Sequence, residues 1–136
     1  MIRVELSKII IDEKRQDQVI VLKEKDGDRQ FPIIIGLMEA SSIKMELAKV
    51  KSPRPLAHDL LYSVTVALDA KVESLAIDKM VKGTFYAKLI LIAKDGTRKV
   101  IDCRPSDGIA LAGRASAPIF VSEEVMKNAD IYRIEE

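Results

Sequence analysis

Two stretches of this chain repeat one pattern. Lys25-Asp26-Gly27-Asp28-Arg29 and Lys94-Asp95-Gly96-Thr97-Arg98 each join two apolar, β-prone runs, and their glycines lie 69 residues apart. Asp-Gly between alternating apolar runs is a tight hairpin signal. Before the first turn, Ile2, Val4 and Leu6 alternate with Arg3 and Glu5, and Val19–Leu22 forms a second strand. After it comes Phe31–Ile35, where Pro32 argues for an edge position or a strand start. Before the second turn stand Val72–Ile77, ending Ile-Asp as the first strand does, and the long run Phe85–Ala93. Each set of strands leads into a helix with an acid near its start, Glu39 in one and Asp107 in the other. The expected architecture is therefore α+β, a single domain over 1–136 with an internally duplicated β-β-β-α unit. The repeat halves cover about 2–50 and 71–116, with an inserted helix at about 56–68 and a C-terminal tail at 117–136.

Helical spacing supports this division. Ala40, Ile43, Leu47 and Val50 share one face of the first helix, and Ser52-Pro53-Arg54-Pro55 breaks it. Leu60, Leu61, Val64 and Leu68 form the apolar stripe of the second helix. In the tail, Ala117–Val121 reads as a short strand, Ser122 as the cap of a brief helix, and Ile131–Ile134 as a last strand. Met38, Met45 and Met80 read as core filler.

The third helix begins at the most polar junction of the chain. Ile101-Asp102-Cys103 ends a strand, and Arg104-Pro105 turns the chain, because a residue before proline leaves the α region. Ser106 is placed to cap the helix, and Asp107 suits the positive end of its dipole. Two readings stand here: Asp107 supports the cap while Arg104 pairs with Asp102, or the junction holds a polar ligand, as strand-to-helix junctions often do.

Composition narrows the function. A formal net charge of +1 excludes nucleic-acid binding by bulk charge and leaves only a local patch. Cys103 is the sole cysteine, so an internal disulfide and a thiolate metal cluster are excluded, and it reads as core rather than nucleophile. The sequence lacks a leader-like run and a membrane-length apolar segment, from which a cytoplasmic setting without membrane contact is expected. His58, the only histidine, is too little for a His-rich zinc site but suits proton transfer near neutral pH; packing is its structural alternative. Asp59 either caps or pairs with Arg54, or joins Glu39 and Asp107 in a groove where carboxylates could take a divalent cation such as magnesium. Walker, dinucleotide-binding and nucleophile-elbow motifs are absent from the sequence.

Several segments resemble the bifunctional nuclease (BFN) family of bacteria, archaea and plants. They are Phe31–Gly36 with Glu39-Ala40, Pro53-Arg54-Pro55-Leu56 with His58-Asp59-Leu60-Leu61, and Gly83–Ala87. Arg104-Pro105-Ser106-Asp107 with Ile109-Ala110-Leu111, and Ala117–Val121, complete the set. Three positions depart from the family pattern: Ala57 replaces a usual threonine, Gly108 a usual alanine and Gly113 a larger residue. Each glycine is expected to weaken the third helix by roughly 1 kcal/mol relative to alanine.

The resemblance implies a half-barrel-like sheet with packed helices, a homo-oligomer with the dimer first in line, and nuclease activity on RNA and DNA. On that footing His58, Asp59 and Asp107 are the candidate catalytic residues, with His58 moving a proton. Arg54 and Arg104 are the candidate phosphate binders through the bidentate guanidinium fork, and Glu39, Asp59 and Asp107 the candidate cation ligands. The alternative is a non-catalytic oligomeric module that binds a small anion or a protein partner. A nuclease requires these six side chains to converge on one cleft, whereas a binding module scatters them into separate caps and ion pairs. A purely structural subunit would present an apolar patch without a charged cleft.

Overall fold

The computed structural model describes residues 1–12, 14–129 and 132–133 of the 136-residue chain. Alternating apolar residues build β1 (Ile2–Ile10), β2 (Asp17–Glu24) and β3 (Arg29–Gly36), a meander closed by the Asp26-Gly27 turn. Then follow α1 (Leu37–Leu47) and α2 (Ala57–Ala67). A second meander, β4 (Lys71–Val81), β5 (Thr84–Ile92) and β6 (Arg98–Cys103), leads to α3 (Pro105–Ala115). The chain continues through β7 (Ile119–Val121), α4 (Glu123–Asn128) and β8 (Tyr132–Arg133). The architecture is α+β, and the order β-β-β-α occurs in both halves.

One sheet runs β6-β5-β4-β7-β1-β2-β3-β8. The three-residue β7 joins the two meanders, parallel to β4 and antiparallel to β1. On its outer side β3 pairs with β8 at Arg29 and Gln30, and among the described residues Pro32 has no partner on that side. Of the expected last strand, Tyr132 and Arg133 pair with β3, while Ile131 and Ile134 lie outside the described residues.

Leu22, Phe31, Leu75, Ile77 and Val121 from the sheet meet Ala40 and Ile43 of α1 and Ile109, Ala110 and Ala112 of α3 in a single core. Each large side chain sealed there contributes about 1.5–3 kcal/mol. α3 lies between α1 and α2 and also packs on β4 and β5. Gly108 permits that approach, because a Cβ there would run into the Leu75 side chain and crowd the Cys103 sulfur. The glycine is thus a packing requirement, which offsets the helix weakening expected from its propensity.

Several expectations are corrected. Ser106 does not cap α3: Arg104 is the extended cap residue, Pro105 takes the first helical position, and Ser106 is buried in the first turn. Proline suits that first position because its missing N–H would have no helical partner there. In α1, Ala40 and Ile43 are buried, but Leu47 and Val50 are exposed because the helix ends at Leu47. Met38 is also exposed rather than core filler.

The largest correction concerns α2. Its stripe of Leu60, Leu61, Val64 and Leu68 faces outward, and His58 is the buried residue of that helix. Buried polar groups need partners. Those of His58 stand on α1 and α3, and that requirement sets the rotation of α2.

Candidate functional site

The acids Glu39, Asp59 and Asp107 each occupy the third position of a helix, one turn past an extended cap residue. Arg104 is the N-cap residue of α3 and Arg114 lies in its last turn, so the two arginines stand at opposite ends of the helix that runs between α1 and α2. Each arginine collects one or two of these acids.

At the N-terminal end, Arg104 Nε donates to Asp107 Oδ2 at 2.8 Å, and Nη2 donates to Glu39 Oε1 at 3.0 Å and Asp107 Oδ1 at 3.2 Å. The His58 ring holds the same carboxylate, with Nε2 2.8 Å from Asp107 Oδ1. Behind it, Ser42 Oγ stands 2.8 Å from His58 Nδ1 and accepts from Arg114 Nη2 at 3.1 Å. Asp107 is ionised and Arg114 can only donate. The consistent pattern has Nε2–H donating to Asp107 and the Ser42 hydroxyl donating to Nδ1. At the C-terminal end of α3, Arg114 Nε donates to Asp59 Oδ1 at 2.8 Å, while Asp59 Oδ2 accepts from the Leu56 N–H at 2.9 Å.

Burial pulls the Asp107 carboxyl upward. Hydrogen bonds from Arg104 and His58, with the charge of Arg104, outweigh that pull and hold it below the usual carboxylate range. Asp59 also lies below that range, chiefly through its bond from Arg114 and then through the Leu56 N–H. Cys103 is pushed up to about 11, first by burial and then by the nearby Asp107 and Asp102 charges, so it is held as an inert thiol.

Of the six sequence candidates, Glu39, His58, Arg104 and Asp107 come together. Asp59 is turned to Arg114 rather than Arg54, and Arg54 is exposed in the loop before α2 without an ion pair among the described residues. Arg104 likewise turns away from Asp102, which pairs with Lys88 at 3.2 Å. Among the described residues, no group of three acids, histidines or cysteines is arranged to hold a metal ion. Glu39 and Asp107 both hold Arg104, so a cation between them would have to displace the guanidinium.

Ser42 and Arg114 were not among the candidates. Their only sequence signal is polar identity at helical positions that turn out to face inward.

The Arg104 side chain is 65% exposed. It stands at the wall of an open groove of about 550 Å³, between the strand Pro32–Gly36 and the β4–β5 turn. The site is thus a solvent-facing arginine, backed by two acids and a buried histidine, at the mouth of a groove. That arrangement can bind an oxyanion and orient a water beside it.

Comparison with known proteins identifies the family. A model of the bifunctional nuclease domain matches residues 20–133. The chain is 40% identical over 123 residues to an uncharacterized protein of Mycobacterium tuberculosis (strain ATCC 25618 / H37Rv), a match covering 90% of this chain and 73% of that protein. It is 35% identical over 115 residues to a protein named bifunctional nuclease 1 from Oryza sativa subsp. japonica, covering 80% of this chain and 34% of the rice protein. With bifunctional nuclease 1 of Arabidopsis thaliana, identity is 28% over 107 residues, covering 76% and 33% respectively. The chain belongs to the bifunctional nuclease domain family.

Proposed function

We propose that this chain hydrolyses phosphodiester bonds in RNA or DNA at the groove end of α3. The observation that carries the reading is Arg104, exposed on the groove and fixed by Glu39 and Asp107. Family membership and the names of the plant relatives support it. Arg104 binds the phosphodiester and stabilises the charge that grows on its oxygens in the transition state. Asp107, ionised and partly exposed, accepts a hydrogen bond from the attacking water and orients it. His58 has both ring nitrogens engaged and is buried, so it acts through Asp107, holding the carboxylate with its Nε2–H.

The test is degradation of labelled single-stranded RNA and DNA by purified protein, with and without magnesium or manganese. Folded Asp107→Asn and His58→Ala are run beside the wild type. Cleavage that falls by about a hundredfold in Asp107→Asn supports the reading. Equal cleavage by all three overturns it.

The second reading is an oligomeric binding module, favoured by the outward apolar face of α2 and by the pairing of Asp59 with Arg114. On this view a second copy of the chain covers Leu60, Leu61 and Val64. Wild type that elutes as a dimer, is dissociated by Leu61→Glu and cleaves neither substrate would favour it.

A further inference from the structure

Ser106 is left over from the site described above. It is 5% exposed, its hydroxyl has no hydrogen-bond partner among the described residues, and it lies on the wall of the groove beside Arg104. The residue is buried, but its Oγ is not sealed from solvent, which leaves the hydroxyl open to a partner from the groove. Around it, the first-turn N–H groups of Ser106 and Asp107 also have no acceptor among the described residues, as expected at a helix start. Arg104 uses Nε and Nη2 on its acids, which leaves Nη1 for another acceptor. These donors share one end of the groove, and Pro32, Ile34 and Phe85 form an apolar wall along its length.

We propose that this groove is a subsite for one nucleotide within a strand. Its phosphate is held by Ser106 Oγ, Arg104 Nη1 and the α3 N–H groups, and its sugar and base lie against Pro32, Ile34 and Phe85. The charge balance selects a diester. Arg104 is one cation beside Glu39 and Asp107, and Asp17 adds a carboxylate on the groove lining. A doubly charged terminal or free phosphate meets more repulsion there than the single charge of a diester. The inference rests on the proposed hydrolysis for the identity of its ligand, but binding is measured without turnover.

The experiment is a titration of the whole chain with the dinucleotide thymidylyl-(3′→5′)-thymidine, followed through backbone amide resonances. Its uncharged methylphosphonate analogue and inorganic phosphate are titrated in parallel. The expected result is shifts at Ser106, Asp107 and Gly36, with affinity roughly tenfold weaker in Ser106→Ala and weaker for both comparison ligands. Ser106→Ala removes a hydroxyl that has no partner, so its thermal midpoint should match the wild type, and the wild-type shift map stands without it. Shifts located elsewhere, equal affinity in Ser106→Ala, or equal binding of the uncharged analogue would overturn the subsite. Expected binding without cleavage of any oligonucleotide would remove the hydrolysis and leave the subsite standing. Cleavage of oligonucleotides with dinucleotide affinity unchanged in Ser106→Ala would do the reverse.

Discussion

Arg104 and Arg114 stand at opposite ends of α3, and each holds the third-position acid of a helix. Arg104 is 65% exposed, whereas the Arg114 side chain is 6% exposed and enclosed by Asp59, Ser42 and the Ala110 carbonyl. The same residue type therefore does different work at the two ends. A buried guanidinium needs all its partners, because removing one leaves the others desolvated and unpaired. An exposed guanidinium loses little when its acids are removed, since water replaces them, and it keeps donors for a ligand. The interior end of α3 is thus built for stability, and the groove end keeps free donors for the chemistry we propose.

Breaking the interior end should have the largest effect. Arg114→Ala is expected to destabilise the fold by roughly 2–4 kcal/mol, somewhat less than for a fully buried pair because Asp59 keeps contact with water. Chemical denaturation measures it, and a loss below 1 kcal/mol would erase the distinction between the ends. Gly108→Ala forces a methyl group against Leu75 midway between the two arginines, and should cost about 1–3 kcal/mol by the same assay despite alanine's better helix propensity. Ser42→Ala, which leaves both His58 Nδ1 and Arg114 Nη2 without their hydroxyl partner, should cost about 1–3 kcal/mol. Arg104→Ala should change stability by less than about 1 kcal/mol.

Acid sharpens the comparison. Asp59 and Asp107 are both held below their unfolded value of about 3.9. Their contribution to stability is complete above that value and is lost as pH falls through the folded values. Wild type should therefore lose stability more steeply below pH 4 than either Asp59→Asn or Asp107→Asn, measured as denaturation midpoints against pH. Parallel acid limbs in all three proteins would contradict the assigned pairings.

The two meanders and the break at Arg104-Pro105 were legible because they are local. Asp-Gly turns, alternation and the residue before proline act within a few positions. Ser106 was misread as the cap because a good capping side chain says nothing of where the backbone first turns helical, and Pro105 moved that point two residues earlier. The stripe of α2 was misread because its rotation depends on partners of His58 that lie 16 and 49 residues away in sequence. For the same reason Glu39, Asp107 and Arg104 could each be named from their own junctions, but not the hydrogen bonds that join the three. The Arg114–Ser42 bond spans 72 residues, and only the packing of α1 on α3 brings its ends together.

The most direct test of the division between the ends is the cleavage rate of a single-stranded oligonucleotide by Arg104→Ala, read with its thermal midpoint. The account predicts a midpoint within a few degrees of wild type and a rate lower by about a hundredfold. A wild-type rate in folded Arg104→Ala would contradict it, since the groove end of α3 would then take no part in the chemistry.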